Sequence, residues 1–127
     1  MKEKTLVITA DTIVCIDEQI LGKPANYDEA VSMLKTLSGE KHVVITAVCL
    51  KSKRKQKLFY ASTDVYFKSL TNEEIHHYVS SYKPFDKAGA YGAQEWLGFI
   101  GIEKIDGSYF NVMGLPTKEL YEELLVF

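Results

Sequence analysis

An aspartate and a lysine stand at the two ends of a short β-rich segment near the start of the chain. Asp11 follows the apolar run TLVIT, and Lys23 precedes Pro24. A carboxylate at the end of a buried strand lies where open α/β sheets bind ligands, and it can hold a divalent cation or accept a proton from water. A lysine kept extended by the next proline offers a compact positive charge to phosphate oxygens. The pair would suit a site for a phosphate and a metal ion.

Each of these residues also has a simpler structural interpretation. Asp11 is typical of an Asx turn that ends one strand, with Thr12 beginning the next. Lys23 is typical of a solvated turn. When each residue is considered alone, its spacing favours the structural role and leaves the chemical role open.

A glycine-rich stretch from Lys87 to Gln94, KAGAYGAQ, is the second segment that could do chemistry. Gly89 and Gly92 let the backbone approach a ligand closely, or simply permit positive φ. Gln94 carries both a donor and an acceptor, which suits the edge of a nucleobase. The stretch matches neither a Walker loop nor a dinucleotide-binding fingerprint, so a purely structural loop is the alternative.

The histidines and potential nucleophiles give weaker signals. His76 and His77 are neighbours on a predicted helix and point in different directions, which argues against a metal pair. His42 begins a predicted strand and is typical of a polar strand end. No serine or cysteine has an evident partner histidine, so nucleophilic hydrolysis has no support. Three aromatic residues are expected in the core or a pocket wall: Tyr91, Trp96 and Phe99.

The hydrophobic pattern places these residues on an α/β framework with a mixed sheet and flanking helices. Continuous or alternating β-rich runs predict a buried strand at 5–9, a hairpin of 12–16 with 20–21, long antiparallel strands at 41–50 and 58–67, and strands at 99–105 and 109–112. Capping-box patterns at Asn26 and Thr71 predict helices up to Gly39 and about Tyr82. A closing helix is predicted at 117–125.

Composition limits the class of protein. The chain has 127 residues, of which 46% are hydrophobic, enough for one domain with a real core. The net charge of −2 argues against a nucleic-acid partner, whose binding surface would be basic. No apolar run is long enough for a membrane span. Two cysteines make no disulfide framework, and this favours a reducing cytoplasm.

Several segments together resemble the Maf family of nucleoside triphosphate pyrophosphatases. The matching pieces occur in family order over nearly the whole chain: ADTIV at 10–14, GKP at 22–24, EAVSMLKTLSGEKHVVITAV at 29–48, DKAGAYGAQ at 86–94 and NVMGLP at 111–116. The resemblance implies a single domain over residues 1–127, with a twisted mixed sheet like that of inosine triphosphatases. It favours the chemical roles over the structural ones.

The resemblance also implies a reaction and residues for it. A nucleoside triphosphate would be cleaved between the α and β phosphates, with Mg²⁺ or Mn²⁺ as cofactor. A homodimer is a possible assembly. Asp11 would be the base and a possible metal ligand, and Lys23 would bind phosphate. Thr12 and Gln94 would select the substrate. The AYGxQ form of the loop resembles the subgroup that acts on dTTP and UTP.

The sequence departs from the family pattern at its start. Family members begin with a strand leading into a Ser-x-Ser-x-Arg-Arg loop, and that segment is not in the sequence, so the resemblance implies a domain incomplete at the N-terminus. The segment 5–9 would then expose apolar surface and an unpaired edge, which favours self-association and little activity of the chain alone. A non-catalytic nucleotide-binding or protein-interaction remnant is the alternative function.

Overall fold

The computed structural model describes residues 5–127 and contains one sheet of five strands. The strands follow the order β2-β1-β3-β4-β5, and every pairing among them is antiparallel. Their bounds are β1 Val7–Ile16, β2 Gln19–Leu21, β3 Lys41–Lys51, β4 Gln56–Phe67 and β5 Ile102–Asp106. The helices are α1 Tyr27–Leu37, α2 Asn72–Tyr82, α3 Trp96–Gly101, α4 Tyr109–Met113 and α5 Thr117–Val126. The predicted α/β class, a sheet with flanking helices, is confirmed, and over residues 5–127 the sheet is antiparallel where a mixed sheet was predicted.

The first two strands form the predicted hairpin, but the position predicted for Asp11 is wrong. Asp17 and Glu18 make the tight turn, both with positive φ. Asp11 lies within β1 rather than at a strand end, because β1 pairs with β3 without a break from Val7 to Cys15. The two strands predicted on either side of Asp11 are therefore one, and Asp11 does not form an Asx turn.

The start of β1 is exposed, so the prediction of a buried strand at 5–9 is wrong. Leu6, Val7 and Ile8 keep 41%, 39% and 43% of their surface accessible. β2 pairs with β1 only from Val14 onward, so the earlier part of β1 has no strand on that side among residues 5–127. The exposed apolar edge expected from the resemblance is thus present. The self-association expected from it stays a prediction.

The two long helices begin as their capping residues predict. Asn26 accepts a hydrogen bond from the Glu29 backbone N–H at 2.9 Å, but the Glu29 carboxylate accepts from Ala25 instead of closing the box. Thr71 and Glu74 form the complete capping box of α2. Both helices bury their apolar stripe on the same core, as Leu34, Leu37 and Tyr78 show no exposed surface. None of the helices among residues 5–127 is both long and apolar enough to cross a membrane.

The C-terminal third departs from the strand predictions. The run at 99–105 ends α3 and then becomes β5, and the run predicted as a strand at 109–112 is the short helix α4. Ser108 caps α4 by accepting from the Asn111 N–H, and Gly114 ends it with a φ of +116°. These caps, together with the burial of Asn111, outweigh the β-rich composition. The closing helix α5 is confirmed.

The sheet has a covered face and an uncovered face within residues 5–127. Every second residue of β3 is buried under the helices: His42, Val44, Thr46, Val48 and Leu50. The alternate residues Val43, Ile45 and Ala47 are half-buried or exposed. Leu58 and Tyr60, on the same uncovered face, keep 66% and 72% of their surface accessible. The core therefore lies on one side of the sheet only.

Candidate active site

The four residues that the sequence singles out line one pocket. Asp11, Thr12, Lys23 and Gln94 surround a water-accessible volume of about 230 Å³. The pocket opens beside the part of β1 that β2 leaves unpaired, and its other walls come from the glycine-rich stretch and the end of α4. The fold thus brings together segments that are far apart in the sequence.

Asp11 and Thr12 enter the pocket from opposite faces of the sheet. Consecutive residues of a strand point to opposite sides, and here Asp11 pairs with Ala47 while Thr12 pairs with Thr46. Asp11 is exposed and Thr12 is half-buried on the core side. Both line the pocket because it lies at the strand edge. The arrangement gives an accessible carboxylate next to a hydroxyl of fixed orientation.

The orientation of the Thr12 hydroxyl follows from its neighbours. The buried Thr46 hydroxyl donates its proton to the Asn111 carbonyl at 3.1 Å. Thr46 and Thr12 are 2.9 Å apart through their Oγ1 atoms. Since the Thr46 proton is already used, Thr12 donates to Thr46 and keeps oxygen lone pairs free. Thr12 is therefore an acceptor for a ligand in the pocket.

Asn111 is a structural determinant of the site that sequence reasoning missed. Its side chain is fully buried, and Nδ2 donates to the carbonyls of Val44 and Ala61 and to Thr63 Oγ1, at 3.2, 3.1 and 2.9 Å. These bonds fasten α4 to β3 and β4, and thereby hold Met113 and Gly114 against the pocket. Two signals were present in the sequence, a polar residue inside an apolar run and its position at the start of the NVMGLP motif, but neither indicated these contacts.

The glycine-rich stretch is fastened to the segment that carries Lys23. The Gly89 N–H donates to the Gly22 carbonyl at 3.1 Å. Gly89 has a φ of +70°, and a Cβ there would lie 2.9 Å from a methyl carbon of Val14. A positive φ and a close approach to β1 both require glycine at this position. The stretch therefore has the structural role considered for it and also lines the pocket.

His42 stands at the start of β3 as predicted, but it is buried instead of forming a polar strand end in solvent. It is 1% exposed because it faces the helices from β3, and its Nε2 lies 2.6 Å from the Tyr91 hydroxyl. Burial lowers the pKa of His42 to about 4, which keeps the ring neutral at pH 7. Tyr91 lines the pocket and packs edge-on against Phe67, as expected for a wall residue. Phe99, by contrast, is 73% exposed and belongs to neither core nor pocket.

The charges that line the pocket balance one another. Lys87 joins Lys23 as a second cation, and Asp86 joins Asp11 as a second carboxylate. Among residues 5–127 there is no cluster of three metal-ligating side chains. The pocket lining therefore contains two cationic and two acidic side chains.

A sheet covered by helices on one side, with lysines and carboxylates in a pocket at its edge, defines an α/β domain with a polar pocket. The chain belongs to the Maf-like protein family, whose model matches residues 1–127. The family predicted from the sequence is confirmed. The roles predicted for Asp11, Thr12, Lys23 and Gln94 stay predictions.

Three curated relatives of the chain carry the same name. The chain is 56% identical over 124 residues to the dTTP/UTP pyrophosphatase of Christiangramia forsetii, covering 98% of this chain and 63% of that protein. It is 57% identical over 119 residues to that of Bacteroides fragilis, covering 94% and 62%. It is 51% identical over 127 residues to that of Porphyromonas gingivalis, covering 100% and 64%. The chain therefore spans less than two thirds of the length of these relatives.

Proposed function

We propose that the protein carrying this chain is a nucleoside triphosphate pyrophosphatase that converts dTTP and UTP to the monophosphate and pyrophosphate. One observation carries the proposal: the four residues predicted for this chemistry line a single pocket. The names of the relatives support the same substrates. A non-catalytic remnant is not favoured, because the carboxylate and the lysines needed for chemistry are together. In this proposal residues 1–127 belong to one Maf-like domain.

Asp11 acts as the base in the proposed reaction. Its exposed carboxylate accepts a proton from the water that attacks the α phosphorus, while pyrophosphate leaves. Lys23 balances charge on the phosphate chain. The divalent cation, Mg²⁺ or Mn²⁺, would be held by Asp11 and Asp86 and would supply charge neutralisation. The need for it follows from charge, because a triphosphate carries about four negative charges and the pocket lining is close to neutral.

Thr12 and Gln94 read the base. Thymine and uracil share an edge with one N–H donor between two carbonyl acceptors. The Thr12 hydroxyl, having donated to Thr46, can accept from that N–H, and the Gln94 amide can donate to a carbonyl. Cytosine and adenine have no ring N–H beside a carbonyl, so this pair of contacts favours thymine and uracil over those two bases.

The free cysteines and the exposed apolar surface indicate the compartment and the partners that we propose for the protein. Cys15 and Cys49 are free and half-buried, which suits a reducing cytoplasm. No nucleic acid or membrane is proposed as a partner. A homodimer would cover part of the apolar surface around Leu58 and Tyr60.

The bond that is cleaved can be tested directly. We expect dTTP turnover to release pyrophosphate and no orthophosphate, because attack falls on the α phosphorus. Orthophosphate is measured with and without added inorganic pyrophosphatase. Orthophosphate produced without that coupling enzyme would show cleavage elsewhere in the triphosphate and would rule out the proposed function.

The role of Gln94 can be tested through substrate choice. We expect Gln94→Ala to lower kcat/KM for dTTP and UTP about tenfold or more relative to CTP, since a buried acceptor on the correct base loses its donor. Ratios of kcat/KM for the three nucleotides measure the effect. Equal losses on all three would mean that Gln94 only supports the loop.

A further inference from the structure

A buried tyrosine and a glutamate form a chain of contacts that ends at Lys87. The Tyr78 hydroxyl accepts from the Gly92 N–H at 3.2 Å and donates to Glu95 Oε1 at 2.8 Å. The same Glu95 oxygen lies 3.5 Å from Lys87 Nζ. Tyr78 is fully buried, and burial together with the Glu95 hydrogen bond raises the pKa of its hydroxyl, so it remains a donor. The rigid helix α2 thus fixes Glu95, and Glu95 holds Lys87.

The two carboxylates around Lys87 differ in how firmly they are held. Asp86 lies 3.2 Å from Lys87 Nζ, but its side chain is 78% exposed. The Glu95 side chain is 24% exposed and is anchored by Tyr78. Water competes effectively for the Asp86 contact and much less for the Glu95 contact. An incoming phosphate oxygen can therefore replace Asp86 while Glu95 keeps the lysine in place.

Gly92 leaves room for this ion pair. A Cβ at Gly92 would lie 2.9 Å from Glu95 Oε1 and 2.9 Å from Lys87 Cε. Both atoms belong to side chains and not to the backbone, so the clash is relieved by moving Lys87 away from Glu95. A methyl group at this position would therefore displace the ion pair and leave the fold in place.

We infer that Lys87 contacts the phosphate chain of the substrate and that Glu95 and Tyr78 are the residues that position it. This inference rests on the proposed function, because it concerns the same pocket. Lys87 would be a second phosphate contact beside Lys23, and the half-buried Glu95 that follows the glycine-rich stretch would hold it.

The test measures binding to the protein that carries this chain. The probes are inorganic tripolyphosphate and a dTTP analogue with a methylene bridge between the α and β phosphates. The affinity for each is measured by calorimetry in the presence of Mg²⁺. We expect Lys87→Met to weaken both about 10-fold to 100-fold, the range for a lost hydrogen bond to a charged group. Glu95→Gln keeps the Tyr78 bond but loses the charge, and Gly92→Ala displaces the pair; each should weaken binding about threefold to tenfold.

A double-mutant cycle separates positioning from a general structural role. If Glu95 acts through Lys87, adding Glu95→Gln to Lys87→Met should cause no further loss of affinity. The matched control is Glu122→Gln, which removes an exposed glutamate that is paired with Lys118 on α5 and does not line the pocket. It should leave both affinities unchanged. Thermal unfolding of every variant checks that the fold is retained.

Two results would overturn the inference: unchanged tripolyphosphate affinity in Lys87→Met, or additive losses in the double variant. No measurable binding by the parent protein would also count against it. Failure of the proposed function gives a different pattern. In that case tripolyphosphate binding depends on Lys87, but the intact dTTP substrate releases no pyrophosphate.

Discussion

Asp11→Asn is expected to lower kcat for dTTP at least ~100-fold while leaving the fold intact. The substitution keeps the shape of the side chain and removes the charge, and loss of a general base typically costs this much or more. Asp11 is exposed, so the change should have little effect on the free energy of unfolding. Steady-state turnover and thermal unfolding of the same preparations measure the two effects.

Asp17→Asn is the matched control for that experiment. It makes the same chemical change in the same hairpin, but Asp17 lies in the exposed turn after β1 and does not line the pocket. Asn tolerates the positive φ of this position, so the turn is kept. Turnover should stay near that of the parent protein. Parent-like turnover in Asp11→Asn would remove Asp11 from the mechanism.

The elements with strong local signals could be predicted from the sequence. Thr71 and Glu74 specify the start of α2 through side chains within one turn, and the Asp17–Glu18 turn specifies the β1–β2 hairpin. The helix α4 could not be predicted in this way. Its aromatic and β-branched residues favour a strand, and the decisive contacts of Asn111 reach β3 and β4, which are distant in the sequence.

The candidate site was predictable in its residues but not in its geometry. Motifs identified Asp11, Thr12, Lys23 and Gln94 without showing that they share a pocket. The position of Asp11 within β1 depends on pairing with β3, and the pattern of apolar residues before it suggested a strand end. The contacts of Glu95 with Tyr78 and of His42 with Tyr91 were missed because they join residues that are distant in the sequence.

His42 should make the protein unstable in acid. The pKa of the folded state is about 4, against 6.5 for the accessible ring, because burial disfavours the charged form. Between these values the unfolded chain binds more protons, so the free energy of unfolding falls as the pH drops from 6.5 to 4 and the loss is complete below that. The shift corresponds to about 3 kcal/mol.

Urea unfolding at pH 7 and at about pH 4 measures this loss. Acidic residues also titrate in this range, so the diagnostic quantity is the difference between the parent and His42→Phe, in which the buried ring cannot be protonated. We expect His42→Phe to lose stability at pH 7, because Tyr91 loses its partner, but to lose about 3 kcal/mol less than the parent on acidification.

Equal acid losses in the parent and in His42→Phe would show that burial of His42 does not govern the response. Tyr91, which His42 contacts, lines the pocket, so nucleotide binding should weaken over the same pH range in which stability is lost.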